Sequence, residues 1–539
     1  MSSYFTKYSI PAILATGLAA LAISACGGSS DDSGATELAK FAPADSTVFV
    51  EGSVQPDSEV ASNVDAMTET LAGVNVGDLI KENINASGDV DFDADIQPWL
   101  GQDAGVFVSF DPSALAPETD GLSSFTSTEG DLGQTMDSAD AGEKFGLVVQ
   151  TTDPDAAQSF IDKQAESDGI SGEGEYEGFS YKVSADDGTA VGIVDDNVVI
   201  GSSEAEFKAA VDASKGDNLA DTQVFSDLKD HVADGALMSV FTANDPYLAA
   251  LKEQGIDLSG LYSAMGMDLE GSGTVMSMVP TADEMSMKGY TNAGSDLTSG
   301  DPSALIETFP ADTMVALGSG DVGKNATTII NALNKEGIPG LLEPGQIDQL
   351  MNEASRQIDL MGIVESLDTV AFFVNGTTEK NLGGALVATS NNIEPIESSL
   401  RGISSLIGLA GDASVRPLPG NVAGFRVLTP ELPGRPVVIG VKGDRMVIGV
   451  GMKASLNALT GTGKTLADSD AYKAADASTP DDGLDMFANP DNIAKLVLSA
   501  GAGQPDAREI AKIMQKFQFM AAGSSDEDGT FEFNMGLNQ

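Results

Sequence analysis

Six residues near the start of the chain, Pro43-Ala44-Asp45-Ser46-Thr47-Val48, return near its middle as Pro310-Ala311-Asp312-Thr313-Met314-Val315. Each copy follows an apolar, helix-like stretch and precedes a strand-like one. Further matches keep the same order: Gly178-Phe179 with Gly424-Phe425, residues 191–201 (VGIVDDNVVIG) with 439–449 (IGVKGDRMVIG), and Leu219-Ala220-Asp221 with Leu466-Ala467-Asp468. A chain whose letters recur in order with little drift is expected to fold as two copies of one unit. The 539 residues also exceed what one core ordinarily serves. The expected division is a first domain over 37–292, a polar linker over 293–303 (AGSDLTSGDPS) and a second domain over 304–539.

Within each copy helix and strand signals alternate. Val60, Val64, Met67 and Leu71 recur at helical spacing on one face. Asp153-Pro154 starts another helix with an N-cap followed by proline, and Ser203 with Glu206 has the spacing of a capping box. Runs rich in Val, Phe and Thr at 47–50, 105–110, 146–151 and 235–242 read as strands. Residues 191–200, with Asp195-Asp196-Asn197 at their centre, read as a hairpin, as do 274–290. Adjacent hairpins imply antiparallel sheet. The expected fold is α+β, two tandem domains, each a mainly antiparallel sheet with helices on one face. Residues 111–143, rich in Ser, Thr, Asp and Gly, interrupt the first copy as a mobile surface insertion, where the second has only 376–381.

The N-terminus reads as an address. Lys7 precedes an apolar run at 10–23 (IPAILATGLAALAI), shorter than the about 20 residues a spanning helix requires. Ile23-Ser24-Ala25-Cys26 closes it, and this order resembles the bacterial lipobox, whose cysteine is acylated and becomes the mature N-terminus. Cys26 is also the single cysteine of the chain, which excludes an internal disulfide. Expected from this are a signal peptide over 1–25, a lipidated flexible tether over 26–36, and attachment to a membrane through lipid on Cys26. Two acyl chains hold a protein there stably, which one does not. The location implied is the extracytoplasmic face of the cell membrane, or the periplasm or outer membrane where the host has two membranes.

Charge narrows the partners. Eighty-two acidic residues against 28 basic give a net of −54. A surface of that sign repels nucleic acid and anionic lipid head groups.

Candidate chemistry is sparse. Asp89, Asp91, Asp93 and Asp95 alternate in the manner of a calcium loop, since hard cations take several carboxylate oxygens. The EF-hand requires glycine at its sixth position and glutamate at its twelfth, where Ala94 and Leu100 stand. A strand with Val90, Phe92 and Ala94 inward explains the same letters. Three Met-x-Met pairs (Met265/Met267, Met276/Met278, Met285/Met287) have the softness for cuprous copper, but Met285 and Met287 align with Phe531 and Phe533, which fits core packing instead. Gly461-Thr462-Gly463-Lys464-Thr465 ends like a phosphate loop but follows a helix rather than opening one. One histidine, His231, and no nucleophile elbow leave little for histidine- or cysteine-based catalysis. No enzyme and no cofactor is expected.

The segments "FAPADSTVFVEGS", "PWLGQDAGVFVSF", "KFGLVVQTTDPDAAQSFID" and "GIVDDNVVIGSS" together resemble the bacterial "domain of unknown function 3352" family. The resemblance implies location and architecture and carries no catalytic signature. In the second copy "PWLG" is replaced within "IVESLDTVAFF". The leading functional expectation is a non-enzymatic binding or structural protein of the bacterial envelope, with an envelope protein or an apolar ligand as partner. A carrier enclosing an apolar ligand between sheet and helices is the alternative, and a carboxylate-based hydrolase of envelope polymers a third.

Overall fold

The computed structural model describes residues 35–538 apart from 74, 87–89, 110–143, 168–171, 186–187, 254–255, 339–341, 355–358, 410–413, 421, 431, 480–482, 502–504 and 526–528. The signal, Cys26, most of the tether, Asp89 and the 111–143 insertion lie outside the described residues. No described helix is long and apolar enough to cross a membrane.

The chain divides into two compact units. Unit 1 comprises 1–257, 269–282 and 289–293; unit 2 comprises 258–268, 283–288 and 294–539. The strands in chain order are β1 (Val48–Ser53), β2 (Leu100–Ser109), β3 (Lys144–Thr151), β4 (Gly172–Tyr176), β5 (Phe179–Val183), β6 (Ala190–Val194), β7 (Asn197–Gly201), β8 (Met238–Ala243), β9 (Gly273–Pro280) and β10 (Glu284–Thr291). They continue as β11 (Thr313–Ser319), β12 (Leu367–Asn375), β13 (Gly383–Ser390), β14 (Ser414–Pro417), β15 (Ala423–Leu428), β16 (Val437–Lys442), β17 (Arg445–Val450), β18 (Met486–Ala488), β19 (Phe517–Ser525) and β20 (Thr530–Leu537).

Unit 1 orders its strands β9-β8-β1-β2-β3-β7-β6-β5-β4, every pair antiparallel. Unit 2 orders them β20-β19-β18-β11-β12-β13-β17-β16-β15-β14, again antiparallel throughout. The order and the central registers coincide. Val48 of β1 faces Val108 and Thr242, and Val315 of β11 faces Val374 and Ala488.

The recurring letters make recurring contacts. Pro43 bridges Asn218, and Pro310 bridges Thr465. The Leu219 amide donates to the Ala42 carbonyl and the Leu466 amide to the Phe309 carbonyl, at 2.9 Å each. Both Leu-Ala-Asp triplets form a 3-10 turn, capped by Asn218 in one unit and by Thr465 in the other. Gly178-Phe179 and Gly424-Phe425 behave differently. Lys182 pairs with Val191 and Phe425 with Ile439, so Phe425 takes the place of Lys182 and the two Gly-Phe pairs are not equivalent.

Local chemistry sets the elements. Asp57 accepts the Glu59 and Val60 amides and opens helix Ser58–Ala72, whose Val60, Val64 and Met67 are buried. Asp195 and Asp196 both adopt positive φ, the turn that matches the twist of the β6–β7 hairpin. Gly146 on β3 has no side chain because a Cβ there would fall inside the buried Phe107 ring.

Helices cover both faces of each sheet, a correction to the one-sided packing expected from sequence. Along β7, Val198 and Ile200 enter a core with Trp99, Phe160 and Ile161, while Val199 enters one with Phe49 and Phe207. Helix Pro154–Ser167 therefore lies on one face and helix Glu204–Lys215 on the other. In unit 2 helix Glu394–Leu409 packs through Ile396 and Leu400 against Val437, Ile439 and Val441, opposite helix Met452–Thr460, whose Ala458 packs with Val438. Strands buried on two faces carry nearly continuous apolar runs, which the period-two reading takes as one-sided.

Candidate functional site

The unusual surface of unit 2 is a row of side chains running across its strands. Leu317 on β11 faces Phe372 on β12, which faces Leu386 on β13, which faces Ile448 on β17. The four are 45, 41, 37 and 40% exposed. With strands about 4.8 Å apart, four neighbours span about 14 Å of sheet. The row continues in half-buried residues, Met486 opposite Leu317 and Ile439 opposite Ile448. Single exposed apolar residues are ordinary, whereas four in direct cross-strand register make a contiguous patch.

Unit 1 has the same row with a different fate. Val50, Val106, Leu147 and Ile200 occupy the same register. Leu147 and Ile200 are buried, and Val106 packs against their cluster, which contains Trp99 and Phe160. The two rings lie 5.6 Å apart at 37°. The Trp99 carbonyl accepts Thr151 Oγ1 at 2.6 Å and the Thr152 amide at 2.9 Å. The Ser366 carbonyl accepts Ser390 Oγ at 2.9 Å and the Asn391 amide at 3.1 Å, which places Ser366 where Trp99 stands. Counting on from Thr151 and Ser390, Ala157, Phe160 and Ile161 correspond to Ile396, Ser399 and Leu400, and all six are buried. Both rings of the unit 1 cover are thus serines in unit 2.

The sequence-predicted calcium ligands are otherwise engaged. Asp91 caps a π-helical turn, Phe92–Ile96, accepting the Ala94 amide at 3.0 Å, so the segment is a turn and not the strand expected. Asp95 accepts the Asp91 amide at 2.9 Å and pairs with Lys163 at 2.6 Å, and these two contacts, the backbone one foremost, hold its carboxyl below the usual range. Asp93 pairs with Lys81 at 3.2 Å. No group of three or more His, Cys, Asp or Glu able to hold a metal occurs among the described residues. His231 stacks on Tyr290, ring centroids 3.4 Å apart. Helix Met452–Thr460 ends at Gly461 and the 3-10 turn Leu466–Asp468 follows, so Gly461 to Thr465 lies at a helix C-terminus.

The apolar row is hard to see in the sequence, because its residues read as ordinary strand positions. The signal available was the replacement of "PWLG", whose tryptophan is the main piece of the unit 1 cover.

No curated protein matches the chain. Two solved structures are similar to it: crystal form IV of TP0453, at 12% identity and TM-score 0.24 over 47% of this chain and 80% of that one, and crystal form I of TP0453, at 10% and 0.20 over 80% and 98%. Likeness at those TM-scores carries no argument. A family model described as "Protein of unknown function (DUF3352)" matches residues 9–537, and with nearly the whole chain matched the protein belongs to that family.

Proposed function

We propose that the protein is a non-enzymatic binding protein of the bacterial envelope, anchored by lipid on Cys26, that has arisen by internal duplication and uses its second unit to carry an apolar ligand. The occupant is the hydrocarbon chain of a lipid, laid across β11, β12, β13 and β17. The observation that supports this is the open row Leu317, Phe372, Leu386 and Ile448 beside its closed equivalent in unit 1. Covering apolar surface is worth roughly 25 cal/mol per Å², and a ligand supplies in unit 2 what Trp99 and Phe160 supply in unit 1. The row itself carries no charged or hydrogen-bonding side chain, which suits a chain of methylenes.

Binding of a fluorescent fatty acid to the mature protein tests this reading. Leu386→Lys is expected to weaken binding at least about tenfold, since a cation laid against the chain is desolvated without a partner. Leu386 is partly exposed, so the fold is retained. Equal binding by the variant, or closure of the row by a concentration-dependent dimer in sedimentation, overturns the proposal. Anchoring is tested separately: Cys26→Ser is expected to abolish incorporation of labelled palmitate and to release the protein from the membrane fraction.

The hydrolase reading gains no support. The inward carboxyl pair of unit 1, Glu51 and Asp103, does not line an open cleft: Glu51 is 7% exposed.

A further inference from the structure

Glu51 lies in the middle of β1 on the face that carries Phe49. It is 7% exposed, and neither Oε1 nor Oε2 has a hydrogen-bond partner. Its cross-strand neighbours are Gly105 on β2 and Ser239 on β8. A Cβ on Gly105 would meet the Phe49 ring at 3.1 Å and Leu38 Cβ at 3.3 Å, so hydrocarbon closes over that side. Leu38 belongs to the four-residue helix Ala35–Leu38, the first described element of the chain.

One diagonal step away on the same face is Asp103, opposite Ser53. The surrounding elements offer no counter-charge. On β8 and β9 the residues of that face in register with Glu51 are Ser239 and Ser277, whose hydroxyls are 3.4 Å apart, and next along it stand Phe241 and Val275. On the N-terminal helix and the turn after it, Glu37 and Lys40 pair with each other at 3.3 Å. Helix Ser58–Ala72 meets Leu237 through Val60 and Val64, and its Asp65 accepts from Asn75. Gln150 of β3 uses its Oε1 on the Asp103 amide. No described ion pair includes Glu51 or Asp103.

Unit 2 dispenses with both acids. By register Gly318 stands for Glu51 and Thr369 for Asp103. The fold of a unit does not require these carboxyls, and a buried, unpaired carboxylate is costly. Of two carboxyls on one face with no cation between them, each makes ionisation of the other more costly.

We propose that Glu51 and Asp103 form a proton-binding site, and that the proton they hold keeps the Ala35–Leu38 helix seated over β1 and β2. Glu51, the more buried of the two, carries the proton. Once it leaves, the bare carboxylate is solvated only if the hydrocarbon above it moves, and the short helix carrying Leu38 is the element that gives. Independently of the ligand in unit 2, the place where the tether enters the fold responds to the pH outside. Burial, with the charge of Asp103 adding to it, pushes the Glu51 carboxyl up to about 8, and burial raises Asp103 as well.

The full mature chain in detergent provides the test. Infrared spectra in D2O at neutral pD should show a protonated-carboxyl band that Glu51→Gln removes. Hydrogen exchange, corrected for its intrinsic pH dependence, should show opening of residues 38–53 rising by up to about tenfold per pH unit between pH 5 and 8 and levelling above. The equivalent segment of unit 2, 305–320, should not follow. Glu51→Gln should flatten the profile, and Asp103→Asn should move the upper break to lower pH. Absence of the band in the wild type, or an unchanged opening profile in Glu51→Gln, overturns the proposal.

Discussion

Trp99→Ala is expected to destabilise unit 1 by about 3–5 kcal/mol, the range for removing a large aromatic side chain from a packed core. Trp99 is 1% exposed, fills the cluster that includes Leu147, Ile200 and Phe160, and donates its indole N–H to the Asp95 carbonyl at 2.7 Å. The substitution opens a cavity beside that row and leaves the carbonyl without its partner. Trp99→Phe, which keeps a ring, should cost distinctly less. Urea denaturation followed by circular dichroism, with exchange-derived protection of β2 and β3 against β12 and β13, measures the effect and assigns it to one unit. A loss below about 1 kcal/mol would mean that the indole does not support the row, and the contrast between the units would lose its basis.

Stability should also depend on pH with a defined sign. Glu51 has a folded value of about 8 against an ordinary 4.5. Between those values the folded state holds a proton that the unfolded chain has released, so stability falls as pH rises, by up to about 1.4 kcal/mol per unit. Below the lower value the contribution is complete, and above the upper value it is gone, a total on the order of 5 kcal/mol. The single tryptophan lies in unit 1, so its fluorescence follows that unit during urea titrations at pH 5 and pH 8. Glu51→Gln should be the more stable protein at pH 8 and lose most of the slope. A variant with the wild-type slope would assign the effect to the general acidity of the chain.

The parts of the fold legible in sequence were those where one local cause decides the outcome. The Asp195-Asp196 turn, the Asp153 and Ser203 caps and the recurring Pro-Ala-Asp and Leu-Ala-Asp segments are of this kind. Alternating letters around Asp91 were misleading, since Val90, Phe92 and Ile96 are buried equally well on a tight helical turn as on a strand. Covering of both sheet faces was hidden because runs such as residues 147–149 fit one-sided and two-sided burial alike. Glu51 carries no mark in the letters, and the Leu317 row has only the indirect one of the missing "PWLG". One is an acid among 82, the other four ordinary strand residues, and only cross-strand register makes them a site.

The position of β1 has a consequence for how the molecule is made. Its two neighbours are β2 and β8, so the first strand to emerge keeps a bare edge until residue 243 has followed. Closing so large a stretch of polypeptide is slow compared with forming local hairpins. A chain made from its N-terminus therefore keeps β1 open through most of unit 1, and the middle of the sheet locks only when β8 arrives.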